Sequence, residues 1–384
     1  MLLTTVSIAH IYIYRRFVRD VWETGHARKL GKFAIVGLAV MLLAGIPLGR
    51  FLGGTTGTVF AYIAFGYFGL LAVLLPLLIS LDLLKGGYVL WARTRREEPD
   101  EERRRFLSRG VAAATVLGAS SAGAVGMNVA LDAPELRTVE VPIKDLPEGL
   151  KGFKIVQLTD VHIGSILQKE FLEAIVARVN ALNPDAVVIT GDLVDGTVAR
   201  LKEHVAPLAQ LKSTHGSFFV TGNHEYYSGA DAWLEYLTSI GIRALRNEHV
   251  AISHEGASFD LLGVDDWRAK AFGGDHGYDI DRAVQGRDRS RVSVLLSHQP
   301  KAIHDAAKHE IDLVLSGHTH GGQIFPFNLA VQLVQPYVSG LHQHSDRTWI
   351  YVSTGTGFWG PPVRVGTRSE ISEILLVGAG RDSA

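Results

Sequence analysis

Cysteine is absent from the 384-residue chain. That excludes disulfides, thiolate nucleophiles and cysteine-based zinc sites together, and it suits an oxidising compartment. An excess of either charge is missing too: 38 Lys and Arg stand against 39 Asp and Glu. Without a basic field nucleic acid is not expected as a partner, and a soluble nuclease is disfavoured. Charge balances over the whole chain but not locally. Residues 58–81 carry none, whereas 15–32 hold six Lys or Arg and 85–109 hold eight.

The length allows two or three domains, and composition divides the chain sharply. Residues 1–131 read as a transmembrane region of about four helices, at 2–14, 33–49, 58–81 and 110–131. Segment 58–81 is long enough to span a bilayer, 33–49 carries Pro47, and 110–131 is rich in Ala, Gly and Ser. Segment 2–14 is short and ends at Tyr12 and Tyr14, so it reads as a span or as an interfacial stub. Both strongly basic loops belong in the cytoplasm by the positive-inside rule, since the intervening loop 50–57 has only Arg50. The last helix then runs outward. The expectation is a multi-pass protein of the inner or plasma membrane with an extracytoplasmic domain. The second basic loop contains Arg103-Arg104-Arg105-Phe106-Leu107, which resembles a twin-arginine export motif before a weakly apolar helix. Helix 110–131 is expected to remain as an uncleaved anchor.

Residues 135–384 read as one soluble α/β domain with ample core. Short runs rich in Val, Ile and Leu, at 154–159, 186–190, 217–221, 292–297 and 312–316, predict strands buried on both faces. Helical spacing falls between them at 168–182, 198–211, 230–240 and 299–308. Further strand-like pieces at 242–245, 248–253, 258–264, 349–353 and 371–377 imply a second sheet, with helices outside two packed sheets.

Polar residues of metal-ligand type close the buried runs. Asp160 and His162 follow the first, Asp192 the second, Asn223 and His224 the third, His298 the fourth, and His318 and His320 the fifth. Ligands bind at that edge of an α/β sheet. Gly191, Gly222 and Gly317 each precede one of these residues and permit tight turns in a crowded site. Nitrogen and oxygen donors in this number suit two cations.

The order D-x-H, G-D, G-N-H-E, H, G-H-x-H resembles the calcineurin-like metallophosphoesterase superfamily over about residues 150–377. The resemblance implies a four-layer αββα sandwich with two divalent cations (Mn, Fe or Zn). Asp160, His162 and His320 would hold one cation, and Asn223, His298 and His318 the other, with Asp192 bridging them. His224 would act beside the phosphate as the catalytic residue, and a hydroxide shared by the cations would attack phosphorus. Glu225 is expected to be structural. Asp195 is either a partner of a ligand histidine or a solvent-exposed acid.

GHTHGGQ at 317–323 and the tail at 355–376 look like the membrane-anchored bacterial branch of the superfamily. Phe358, Trp359 and Pro361-Pro362 could contact an acyl chain or merely pack a loop. Arg364 and Arg368 are candidate phosphate contacts, with surface pairing the preferred role for Arg368. The expected activity is a phosphodiesterase acting on a phospholipid or envelope-associated phosphoester. The rivals are a cytosol-facing pyrophosphohydrolase for a lipid-linked nucleotide diphosphate of the UDP-diacylglucosamine type and a non-catalytic membrane scaffold.

Overall fold

The computed structural model describes residues 2–22, 25–94 and 101–379. It divides the chain into a helical unit, Met1–Leu131 with Gly360–Val365, and a second unit, Asp132–Trp359 with Gly366–Ala384. The last five residues of the expected soluble domain, 380–384, lie outside the described residues.

The helical unit contains α1 (Leu2–Tyr14), α2 (His26–Leu52), α3 (Gly54–Thr94) and α4 (Glu101–Leu131), with a π-helical stretch at Arg15–Arg19. Three are long and apolar enough to cross a membrane, through His26–Gly49, Gly54–Tyr88 and Ser108–Leu131. Helix α1, at 13 residues, is too short to cross alone. The 103–107 motif falls in the first turns of α4, and its side chains are outside the described ones.

Close backbone approach holds α2 to α3. A Cβ on Gly45 would lie 2.8 Å from that of Ala64, and one on Gly49 would lie 3.0 Å from that of Ala61. Small residues four apart give apolar helices contact without a hydrophobic driving force. Leu42, Leu71, Leu74 and Leu78 fill the space beside that seam. The Gly360–Val365 segment groups with these helices: Arg364 N donates to Gly126 O at 2.9 Å, and Val363 lies against Gly69 and Gly126.

The second unit is a sandwich of two six-stranded sheets. The first has the order β1-β12-β2-β3-β4-β5, from Glu135–Ile143, Glu370–Gly378, Lys154–Leu158, Ala186–Thr190, Ser217–Val220 and Ile242–Ala244. The second has the order β10-β11-β9-β8-β7-β6, from Gly340–Gln343, Trp349–Val352, Leu313–Ser316, Val292–Leu296, Ala257–Gly263 and Glu248–His254. Ile155, Val188, Phe218 and Ile374 of one sheet share a core with Phe259, Val294, Leu315 and Tyr351 of the other.

Alternation along each strand sends the remaining apolar residues to the outer faces. There Leu262, Leu295 and Val314 meet α9 (Ile280–Val284) and α10 (Ile303–Lys308) through Ile280, Ile303 and Ala306. On the first sheet Val187, Ile189 and Phe219 are buried, as are Leu172, Leu201 and Trp233 of α5 (Lys169–Ala181), α6 (Val198–Val205) and α8 (Ala230–Ser239). The result is four layers, α/β/β/α.

Sheet membership differs from the expectation in detail. The buried runs at 292–297 and 312–316 belong to the second sheet, whereas 242–245 and 371–377 join the first. Composition marks a strand as buried on both faces, but only pairing decides which sheet it enters. Helical patterns also shorten where proline intervenes. Pro207 turns the end of 198–211 into a 3-10 segment, and Pro300 does the same at the start of 299–308.

Candidate metal centre

The C-terminal ends of β2, β3 and β4 in one sheet and of β8 and β9 in the other meet at one edge of the sandwich. Hydrogen bonds between loops lock them together. Asp160 N donates to Gly191 O at 3.0 Å, His162 N to Asp192 O at 3.1 Å, and Gly317 N to His298 O at 3.0 Å. Gln157 bridges the two sheets just below, donating to Thr190 Oγ1 at 2.8 Å and to Ser316 O at 3.1 Å.

Backbone strain concentrates here. Asp160, His162, Asp192, His318 and His320 all have positive φ, between 50° and 71°. For residues with a Cβ that conformation costs about 1–2 kcal/mol each, so the surrounding packing must impose it. The glycines beside them are sterically required. A Cβ on Gly317 would lie 2.1 Å from Asp160 Oδ2, and one on Gly222 would lie 2.2 Å from Asp192 Oδ1.

Among the described residues three groups of side chains could hold an ion. Asp160, His162 and His320 converge in one, Asp192, His298 and His318 in a second, and His162, Asp195 and His224 in a third that shares His162 with the first. In the first, His162 Nε2 is 3.2 Å from His320 Nε2, which is 3.3 Å from Asp160 Oδ1. In the second, His298 Nε2 is 3.1 Å from both Asp192 Oδ2 and His318 Nδ1. Asp192 Oδ2 is also 4.0 Å from His162 Nε2, which places this oxygen between the clusters. Asn223 opens α7 (Asn223–Ser228) and is buried, with no hydrogen-bond partner for its Oδ1.

These residues fit two divalent cations, and the donor atoms give the reason. Asp160 uses one oxygen for the protein, accepting from His318 N at 2.9 Å and Thr159 Oγ1 at 2.8 Å, while Oδ1 is buried without a donor. Asp192 does likewise, accepting from His224 N at 2.8 Å on Oδ1 and turning Oδ2 inward. The hydrogen-bond network places a proton on Nδ1 of His298, which faces Thr190 O at 2.9 Å, and on Nδ1 of His162, which faces Asp195. Their Nε2 lone pairs therefore point at neighbouring imidazole nitrogens. Such an arrangement is repulsive unless a shared cation or proton lies between them.

The electrostatic balance agrees. Burial pushes the His162 ring towards neutrality, but Asp195, Asp192 and Asp160 outweigh it and hold its pKa at about 9. His298 is likewise raised, against burial, by Asp192 and Asp160. Burial and the His298 ring push His318 the other way, down to about 3. The field that binds protons to His162 and His298 is the field a cation would meet.

The role left open for Asp195 and the structural role expected of Glu225 both acquire partners. Asp195 Oδ1 accepts from His162 Nδ1 at 3.1 Å and from His224 Nδ1 at 2.6 Å, so one carboxylate orients both rings. Burial alone would raise the Asp195 pKa, but those two histidines hold it well below the usual carboxylate range. Glu225 is structural, accepting from Asp192 N at 2.9 Å, Leu193 N at 2.8 Å and Gly222 N at 2.7 Å. It staples the β3 loop to the start of α7.

Phe358 is buried, whereas Trp359 is exposed, with its ring 6.0 Å from that of His224. Gln323 grips the Trp359 backbone at both ends, donating to its O and accepting from its N at 2.9 Å each. Arg368 pairs with Glu135 at 2.6 Å on the surface. Arg364, a candidate phosphate contact by its charge alone, is buried and groups with the helices.

A two-sheet α/β sandwich with paired His/Asp clusters on its strand-end edge defines a metal-dependent hydrolase of phosphoesters. The chain belongs to the calcineurin-like phosphoesterases, whose family model matches residues 153–322. A Bos taurus transmembrane protein with metallophosphoesterase domain is 36% identical over 389 residues, covering 97% of this chain and 87% of that protein. A Danio rerio protein of the same description is 42% identical over 259 residues, covering 65% of this chain and 59% of that protein. An uncharacterized metallophosphoesterase of Helicobacter pylori is 49% identical over 228 residues, covering 59% of this chain and 60% of that protein. The chain thus spans under two thirds of the latter two relatives. Both a vertebrate and a bacterium supply relatives, so the family assignment is broader than a bacterial branch.

Proposed function

We propose that the protein is a membrane-anchored, extracytoplasmic phosphodiesterase acting on a phospholipid or another envelope-associated phosphoester. The observation that carries this reading is the position of Asp192 Oδ2 between two inward-facing imidazole clusters. Asp160, His162 and His320 would hold one cation, and Asn223, His298 and His318 the other, with Asp192 shared. Mixed imidazole, carboxylate and amide donors suit Mn²⁺, Fe or Zn²⁺. Two cations so held supply Lewis-acid activation of the phosphoryl group and a nucleophile at neutral pH.

The protein side chains supply the rest. Asp195 fixes the His224 ring through Nδ1, which leaves Nε2 as the ring atom that would exchange a proton with the leaving oxygen. Trp359 and Tyr227 stand beside that ring, 6.0 and 5.3 Å between centroids, and limit its access to water. The extracytoplasmic placement rests on the charged loops: the opposite topology would put all fourteen Lys and Arg of 15–32 and 85–109 outside.

Hydrolysis of an aryl phosphodiester by purified full-length variants, together with their metal content, tests the reading. Asp192→Ala should lose both metal and activity, the latter by on the order of a thousandfold. His224→Ala should keep its metal and lose roughly 10²–10⁴ in kcat. Full activity in both variants would overturn the assignment. A reporter enzyme fused after residue 384 and active only outside the cell would support the orientation. Activity only inside would favour the cytosol-facing lipid-diphosphate hydrolase.

A further inference from the structure

Chain connectivity limits how far the start of β1 can lie from the end of α4. Helix α4 ends at Leu131 and β1 begins at Glu135, leaving residues 132–134 as the tether. At roughly 3.3–3.6 Å per residue, that stretch reaches no more than about 14 Å. β1 runs parallel to β12, starting with Glu135 beside Glu370, and β12 runs antiparallel to β2, pairing Ser372 with Gln157. Glu135 therefore sits at the end of the first sheet where β2, β3 and β4 finish. The tether enters the domain at the edge that carries Asp160, Asp192 and Asn223.

That edge also carries an apolar projection. Between His320 and Asp346 the sequence contains no Asp, Glu, Lys or Arg. The segment leaves β9 through the metal-site loop and forms α11 (Phe327–Gln332), a helix with no buried residue. Phe325, Phe327, Leu329, Leu333 and Val334 are exposed, Leu333 at 86% and Val334 at 61%. Trp359, 53% exposed, is bound to the base of this projection by the Gln323 amide. Uncharged apolar side chains clustered beside an active site mark an interaction surface, and aromatic and aliphatic residues on a short helix suit the boundary of a bilayer.

We propose that residues 324–334, together with Trp359, dock into the lipid surface of the bilayer crossed by the chain's own helices. The metal-bearing edge then meets its phosphoester at the membrane, and the substrate class is a phosphoester borne on a lipid. Docking follows from the tether and the projection alone; the substrate class rests additionally on the hydrolase reading. The projection begins at the metal-site loop, and Gln323 at its base holds Trp359 beside His224, so it also orders the approach: the lipid body stays in the bilayer while the headgroup reaches the clusters.

Absence of cysteine makes the test direct. Leu333→Cys and Ser290→Cys each introduce a single labelling site into the full-length protein, Ser290 being exposed just before β8 at the opposite edge. Each variant is labelled with an environment-sensitive fluorophore and reconstituted into phosphatidylcholine–phosphatidylglycerol vesicles containing brominated lipid. The label at 333 should be quenched several-fold more than the label at 290. Equal quenching at the two positions would overturn the proposal. So would energy transfer between copies labelled at 333, which would assign the face to a second copy of the chain.

A double variant, Leu333→Glu with Val334→Glu, supplies the functional arm. It should lose roughly tenfold in turnover of a vesicle-borne phosphodiester while hydrolysing a soluble aryl phosphodiester unchanged. Equal loss on both substrates, or loss on neither, would count against docking. Strong quenching of the label at 333, together with a wild-type protein that hydrolyses neither ester, would leave docking standing and remove the hydrolase reading.

Discussion

The two halves of the metal centre are alike in composition and unlike in support. The Asp160–His162–His320 cluster is oriented by a side chain, because His162 leans on Asp195. The Asp192–His298–His318 cluster is oriented by backbone: His298 leans on Thr190 O, and Glu225 holds Asp192 by its amide. A histidine ligand needs its second nitrogen fixed, and either carbonyl or carboxylate serves. The difference lies in what each partner does besides. Thr190 O is a strand terminus and cannot move without the sheet. Asp195 also holds His224, so one half of the centre is wired to the acid that would complete the reaction.

The backbone-supported half should therefore break most readily through backbone, and of the changes to supporting residues Gly191→Ala gives the largest effect. Gly191 has a φ of +85°, and a Cβ there would lie 2.5 Å from Gly222 N and 2.9 Å from His298 Nδ1. The new methyl would compete with the bond that orients His298. Left-handed strain and overpacking together should cost about 2–4 kcal/mol, lowering the unfolding midpoint by roughly 5–15 °C. Calorimetry with metal analysis would show the drop together with cation loss from that cluster. A variant of unchanged midpoint and full metal content would erase the contrast between the halves.

The side-chain-supported half should break without unfolding. Asp195→Asn keeps the size and the single oxygen that accepts from both rings, but it removes the negative charge that faces His162 and His224. A kcat lower by roughly 10²–10³ is expected, with little change in midpoint. Metal affinity should fall as well, by roughly 10–100-fold at the His162 cluster. Competitive chelation followed by metal analysis separates that effect from the kinetic one. If only affinity falls, Asp195 serves His162 alone; if only kcat falls, it serves His224 alone.

What the sequence made legible follows the same division. All seven ligand-type residues and His224 lie directly after apolar strand runs, so a linear reading places them on one edge. That edge belongs to two sheets, because pairing separates 154–158, 186–190 and 217–220 from 292–296 and 313–316. Asp195 and Glu225 were visible as acids in GDLVDG and GNHE, but all their partners except Gly222 lie about thirty positions away in the chain. No local pattern records that Glu225 reaches three backbone amides at once. Arg364 is a different case. Its charge alone made it a candidate phosphate contact, and only the packing of Val363 and Arg364 with Gly69 and Gly126 reveals its burial. The uncharged run after His320 was likewise present in the sequence, but its exposure becomes evident only once α11 is seen to bury nothing.

Arg368→Ala sharpens the comparison from outside both halves, and its effect should be the smallest. Arg368 resembles Asp195 in making a short charge-assisted bond, to Glu135 at 2.6 Å, but its side chain is 61% exposed and that of Glu135 is 56% exposed. Solvent screens such a pair and its entropy cost offsets much of the attraction, so its deletion should change stability by at most about 0.5–1 kcal/mol. Since Glu135 and Arg368 lie on the metal-bearing edge, the same variant also asks whether charge there recruits phosphate. A KM on a soluble aryl phosphodiester that stays within about twofold of wild type confines Arg368 to surface pairing. A KM raised tenfold with kcat unchanged would instead identify uniform substrate binding, and support of the site would then extend beyond the buried residues to its charged rim.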